Sequence, residues 1–511
     1  MSVQALRDVV SEFHNNRTNP LLTLLKSKSG EIDPASLDPI ITKVKDLNNS
    51  IEELSEVQTV RADITDTIKD AAGETYSPSS LSIKSDLSDE ADKLFQSLRL
   101  FIGESEEGYE GAIQELSLGG ANLIYLTLKL LEFKYQKAKQ SFANFLLIEE
   151  PEAHIHTHIQ KTLFDRLNYT NTQIIYSTHS THISEVSNVQ NVNILGRHAG
   201  RCEAYQPSTG LKPDEIGNIQ RYLDAVRSNL LFAKSVILVE GDAEEILIPI
   251  LVKKVLGLSL DELGISLINI RSTGFENVAV LFHDTRIRKK CSIITDLDKS
   301  IIDTAQVPSD PEALRKFKEK CQGSEKTGIE RKAKLELFAA GNSWISLFFA
   351  PNTFEVDFVT AGNTDKVVSV LDQVYTDTNT LTKARTELES ADIALYGKRV
   401  LTMAVNQGKG WFAILLGNKI DCQTAIPDYI LNAIFFAHPN ITAQVWFNVL
   451  SYRLRCIEDT GHCTPANIAD CRTKLDSFKD GKVDIFGIQS VFLSTFPGDR
   501  INKILEIYLP C

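Results

Sequence analysis

Val236–Leu251 reads VILVEGDAEEILIPIL: four apolar residues, an acid, a glycine, then a helix pattern. A short apolar run that ends in acid and glycine and passes at once into a helix is the opening of a βα unit. Glu240 closes that strand and Glu244 lies four residues on, so both carboxylates can point at one spot above a sheet. Outward from this stretch, ISLINI (265–270), CSIITDLDK (291–299) and WISLFFAPNTFEVDF (344–358) supply three further strands with helical text between them. The alternation predicts an α/β parallel sheet. The second acidic pair, Asp296 and Asp298, sits at a strand end with the i, i+2 spacing of one strand face. A third pair, Glu355 and Asp357 in NTFEVDF, is read the same way. Singly, such pairs are usually solvated loop acids. Three on successive strands predict instead a cage for hard divalent cations, and two such ions about 4 Å apart can clamp the attacking and leaving oxygens of a phosphodiester.

A second block lies upstream. FANFLLIEE (142–150) is predicted as a buried strand, EAHIHTHIQKTLFDRL (152–167) as a helix and TQIIYSTHS (172–180) as the next strand. Glu149 and Glu150 therefore stand at the carboxyl end of a strand, where α/β sheets bind ligands. One can hold Mg²⁺ and the next can orient a water for attack on a γ-phosphate. Ahead of them, LSLGGAN (116–122) leads into a helix whose Ser117, Gly119 and Gly120 suit a phosphate. His179 follows the later strand.

The order of these pieces resembles the ABC-type ATPase heads of the RecF, SMC and OLD (overcoming lysogenisation defect) families. That resemblance implies nucleotide contacts for Ser117 and Gly119, metal binding and water activation for Glu149 and Glu150, and a switch role for His179. The Glu-Glu form followed by EPEAHxH leans towards OLD-like nucleases. The block around Glu240 resembles a Toprim domain, defined by a strand-end Glu followed by Gly and by a later DxD, here Glu240 with Gly241 and Asp296 with Asp298. Glu244 and the FExD segment match its OLD nuclease version, which cuts or nicks DNA by two-metal chemistry. In that version a Lys follows in KGxFA-like text, and GKGWFAILL offers Lys409 to neutralise charge developing on phosphate. A turn lysine beside Gly408 and Gly410 would read the same way. The P-loop GxxxxGK[ST] does not occur in the 511 residues. The expectation is an ATPase without its N-terminal lobe, through truncation, a split gene or degeneracy, so that ATP would need a P-loop supplied elsewhere.

Other residues carry less. His154, His156 and His158 fall after EEPEA at a helix start, where i and i+2 diverge, and the structural reading is preferred to a zinc site. Gly274 is read as serving backbone approach. Arg286, Arg288, Lys289 and Lys290, with Arg331, Lys332 and Lys334, flank the acidic strands. They can guide a phosphate backbone or form a solvated face. Cys456, His462, Cys463 and Cys471 lack ligand spacing.

The 511 residues are 43% apolar and carry 54 Lys plus Arg against 67 Asp plus Glu, a net charge of −13. This excludes a disordered chain and a protein that coats nucleic acid by bulk charge. Eight cysteines without a CxxC pair predict reduced thiols. No apolar leader or membrane span is legible, so a cytoplasmic chain without membrane association is expected. The predicted organisation is a helical insert or arm (1–92), in which Ile40, Val44, Leu47, Ile51 and Leu54 form a coiled-coil seam or a core-packed helix. The C-terminal lobe of an ABC-type ATPase (93–225) follows, with Gly73–Glu90 as loop before it and 201–215 as a polar connector after it. A Toprim domain (226–360) and a helical extension (361–511) complete the chain. The functional expectation is an OLD-type DNA endonuclease using Mg²⁺ or Mn²⁺, in phage defence or DNA processing. It is expected to be homo-oligomeric, with room for a helicase or a P-loop-bearing partner. The rivals are a non-catalytic nucleotide-sensing scaffold and a topoisomerase- or primase-like enzyme.

Overall fold

The computed structural model describes the chain except residues 4–8, 16–18, 29–49, 74–79, 86–97, 104–109, 138–143, 199, 224–227, 272–273, 461–462 and 510–511. Two compact units result: Met1–Asn188 with Leu223–Ser228, and Val189–Tyr222 with Asn229–Cys511.

Among the described residues, the first unit holds a parallel sheet in the order β1-β5-β6, formed by Ser2–Val3, Asn144–Glu149 and Thr172–Ser177. An antiparallel sheet pairs β2 (Ser80–Ser85), β3 (Leu98–Gly103) and β4 (Glu110–Ala112). The helix Ser55–Ala72 buries Val57, Val60, Ile64 and Ile68. Their steps of three and four give a single apolar stripe, which enters the same core as Ile124, Leu128, Leu146 and Ile148. Several expectations change here. Residues 1–92 are not purely helical, because β1 and β2 lie within them. Ser80–Ser85 is a strand rather than loop, its Leu81 and Ile83 facing the core. In the proposed seam, Ile40, Val44 and Leu47 fall outside the described residues, while Ile51 is buried and Leu54 exposed. Strand β5 is buried on one face only: Leu146 and Ile148 point inward, whereas Phe145 and Leu147 are 50% and 43% exposed.

The second unit begins with a hairpin of β7 (Ile194–His198) and β8 (Arg201–Tyr205), so part of the predicted connector is strand. A parallel sheet follows in the order β10-β9-β11-β12, formed by Ile265–Asn269, Ser235–Val239, Cys291–Asp296 and Ile345–Ala350. Every residue of β9 is buried, as a strand covered on both faces requires. Beyond Ala350 the described chain is helical to Tyr508. The helices pack their apolar faces into one core with the sheet, from Ile237 and Val239 to Leu450, Phe492 and Leu505. No helix among the described residues is long and apolar enough to cross a membrane.

Candidate metal centre

Strand β9 ends at Val239 and delivers Glu240 to the carboxyl edge of the sheet. Gly241 then caps the helix Asp242–Leu256. A Cβ at Gly241 would lie 2.6 Å from Glu244 Oε2. The glycine thus lets the Glu244 carboxylate fold back over the helix start, where a negative charge is favoured by the helix dipole. Strand β11 ends at Asp296, and the Thr295 hydroxyl donates to Glu240 Oε2 at 3.0 Å, tying two strand ends together. Asp298 lies beyond the strand with φ of 51°, in the left-handed region, so the pair is not presented by a regular strand face. The third pair is corrected further. Glu355 and Asp357 occupy the first turn of the helix Phe354–Thr360, where residues two apart diverge. Glu355 lines the cavity, whereas Asp357 accepts the backbone N–H of Asn352 at 3.1 Å.

The cavity has a volume of about 250 Å³ and gathers Glu240, Glu244, Asp296, Asp298 and Glu355 with Asp242, Arg331 and Lys409. Burial first, then the charges of Glu355 and Glu240, push Glu244 up to about 7, against its own backbone N–H and Lys409. Burial and the neighbouring Glu244, Glu355 and Asp298 hold Asp296 well above the usual carboxylate range. Asp357 is raised to about 6, chiefly by burial. Burial pulls Lys409 down, but Glu355, Asp296 and Glu244 outweigh it and hold its ammonium above the ordinary lysine value.

Lys409 is the first residue of the helix Lys409–Gly417 rather than a turn residue, and its Nζ stands 3.5 Å from Glu355 Oε1. Glu355 is 2% exposed, and neither of its buried carboxylate oxygens has a hydrogen-bond donor. Lys409 is the ion-pair partner of this buried carboxyl, which makes no hydrogen bond, and a buried oxygen pair so sparsely matched fits a cation-holding position. Among the described residues no three acidic, His or Cys side chains close on one ion-sized point. The expected convergence of Glu240, Asp296 and Glu355 is therefore a shared cavity rather than a closed coordination sphere. Arg331 and Lys409 stand among the acids as protein cations, and the acid-rich oxygen set suits hard divalent ions.

Arg331 was legible only as part of a basic run, and the structure turns it inward to Asp298 and Glu240. The other basic residues are engaged elsewhere. Arg286 donates to the Val280 carbonyl, Arg288 pairs with Glu203, and Lys289 and Lys290 donate to the Leu231 and Ser343 carbonyls. Lys332 pairs with Glu336 and Lys334 with Glu276. Asp242 was missed; its carboxylate accepts from Asn269 at 3.0 Å at the end of β10. Gly274 has φ of 87°. Cys471 belongs to the helical core and Cys463 packs against it, Cys456 is buried in the helix Ala443–Asp459, and His462 lies outside the described residues.

In the first unit the helix Leu118–Lys137 starts after Ser117, whose Oγ accepts the Gly120 N–H at 3.2 Å. A Cβ on Gly119 would lie 2.4 Å from the His154 carbonyl. This helix start therefore packs directly on the turn that follows Glu149 and Glu150. Glu150 has φ of 45°, and His179 Nε2 stands 3.5 Å from its Oε1. Burial first, then Glu152, raise the Glu150 carboxyl, with His179 opposing. Glu152 accepts the His179 backbone N–H at 2.6 Å and the Thr178 hydroxyl at 2.7 Å. Pro151–His154 is turn, and the helix begins only at Thr157. His156 and His158 stack with ring centroids 5.2 Å apart, because His156 is the N-cap and not a helical residue.

Residues 231–298 match the family described as overcoming lysogenization defect protein-like, TOPRIM domain, and residues 3–184 match the AAA ATPase domain. Among solved structures, the C-terminal region of the Burkholderia pseudomallei OLD protein is 26% identical, covering 41% of this chain and 100% of its own, with a TM-score of 0.30. The corresponding region from Xanthomonas campestris pv. campestris is 22% identical over 41% of this chain and 95% of its own, also with a TM-score of 0.30. An SmcHead bound to the C-winged helix domain of ScpA is 16% identical over 36% and 52%, with a TM-score of 0.24. No curated protein matches significantly.

Proposed function

Taking the chain as an OLD-family protein, with an OLD-like Toprim domain and an AAA-type ATPase domain, we propose that it is a DNA endonuclease dependent on Mg²⁺ or Mn²⁺. The observation that carries this reading is Glu355, buried beside the Lys409 ammonium with no hydrogen bond to either carboxylate oxygen, in a cavity shared with Glu240, Glu244, Asp296 and Asp298. These five carboxylates would hold the ions. Bound in pairs, such ions lower the pKa of an attacking water and stabilise the leaving oxygen of a phosphodiester.

The protein's own groups do the rest. Lys409, held cationic by its acidic neighbours, places positive charge where the phosphate becomes more negative. Thr295 fixes the Glu240 carboxylate through its hydroxyl. Asp357, bound to the Asn352 N–H, secures the loop that follows β12. In the first unit, Ser117, Gly119, Glu149, Glu150 and His179 would serve ATP, completed by a P-loop from a partner or another segment. DNA is the substrate, a homo-oligomer the working form, and phage defence or DNA processing the setting.

Supercoiled plasmid incubated with the purified chain and Mn²⁺ tests this. Nicking by wild type that is abolished by Asp296→Ala supports hydrolysis. Absence of nicking, or full nicking by the variant, removes the proposal. Religated topoisomers would favour a topoisomerase instead.

A further inference from the structure

Arg331 enters the cavity from the long helix Glu312–Ala339. Its guanidinium stands 3.1 Å from Asp298 Oδ2 and 3.6 Å from Glu240 Oε1, and it also donates to the Asp296 carbonyl. One side chain thus binds to both acidic strand ends. The approach is built into the sequence. Gly328 lies three residues earlier on the same helix face, and a Cβ there would fall 2.0 Å from the Leu297 carbonyl oxygen. Only a residue without a side chain lets the helix come this near to the DxD loop. Asp298, in its left-handed conformation, supplies the matching carboxylate.

The fit is incomplete in one respect. Arg331 Nε is buried and finds no acceptor, although a guanidinium carries five N–H donors. Lys409 stands against Glu355, so the two protein cations serve different acids of the one cavity. A divalent ion ligated by Glu240 or Asp298 would need the same oxygens that now face the guanidinium, and like charges so close repel strongly.

We propose that Arg331 is a resident counter-cation: it neutralises Glu240 and Asp298 in the metal-free protein and yields those oxygens to an entering divalent ion. This rests on the metal-dependent reading above. It makes Arg331 a positioning residue whose removal strengthens metal binding.

The test is Mn²⁺ binding to the full chain, followed by calorimetry without DNA or nucleotide, for wild type, Arg331→Gln and Arg331→Lys. Loss of a competing unit charge at this distance gives roughly tenfold tighter binding for Arg331→Gln. Arg331→Lys, which keeps the charge but reaches fewer oxygens, falls between the two at about threefold. An arginine that only braces the DxD loop predicts the reverse, weaker binding in both variants. Weakened or unchanged affinity while wild type binds Mn²⁺ overturns this inference alone. Wild type that binds no Mn²⁺ overturns it together with the nuclease reading. If Arg331→Gln does not fold, the lysine variant decides by the same sign.

Discussion

Replacing Glu244 by Gln should make the metal-free protein more stable at alkaline pH while removing its grip on metal. Glu244 is buried, and its carboxyl is raised from 4.5 to about 7. The folded state therefore holds that proton more tightly than the unfolded chain does. The resulting stability is fully present below pH 4.5 and is lost as pH rises through 7, an effect of about 3 kcal/mol for a shift of this size. Glutamine resembles the protonated acid in shape and cannot ionise, so Glu244→Gln avoids the loss. Thermal unfolding in EDTA, followed by circular dichroism, should show the variant melting roughly 5 °C above wild type at pH 8.5. The difference should vanish near pH 5. Excess Mn²⁺ should then reverse the order at pH 8.5, because binding to the native state stabilises wild type by mass action. Equal melting temperatures in EDTA at pH 8.5, or a gain that persists unchanged at pH 5, would refute the claim that burial governs this carboxylate.

The same proton links metal binding to pH: Mn²⁺ affinity of wild type should fall as pH drops from 8 to 6, with proton release seen when calorimetry is repeated in buffers of different ionisation enthalpy. Lys409→Ala should slow plasmid nicking by on the order of 10²-fold while calorimetry still detects Mn²⁺; loss of binding with activity would instead make Lys409 structural. Gly328→Ala drives a Cβ into the Leu297 carbonyl and should cost about 2–3 kcal/mol, read as a lower urea midpoint. An unchanged midpoint would show that the helix has room to shift.

The acids were legible because chemistry and spacing coincide in the text: an apolar strand ending in Glu240-Gly241, a DxD at the end of another, and Lys409 in the matching downstream segment. Local signals failed where tertiary context sets the element. NTFEVDF alternates apolar and acidic residues as a strand would, yet it starts a helix because β12 ends at Ala350 and the chain turns at Pro351 and Asn352. That change separates Asp357 from Glu355. Strand β5 looked apolar throughout, but pleating sends Phe145 and Leu147 away from the core that receives Leu146 and Ile148. The basic runs were also ambiguous, since a count of lysines and arginines does not say which carbonyl or carboxylate each will reach.

By itself the amino-acid order determined the α/β class, the two acidic strand ends and the helical tail, since these follow from periodicity and residue type over short windows. The folded chain alone decided which charges share one cavity. It buried Glu355 against Lys409, pushed Glu244 towards neutrality and turned Arg331 from a surface run into the acids. Electrostatic energies depend on distance through space and on removal from water, and neither is written along the chain.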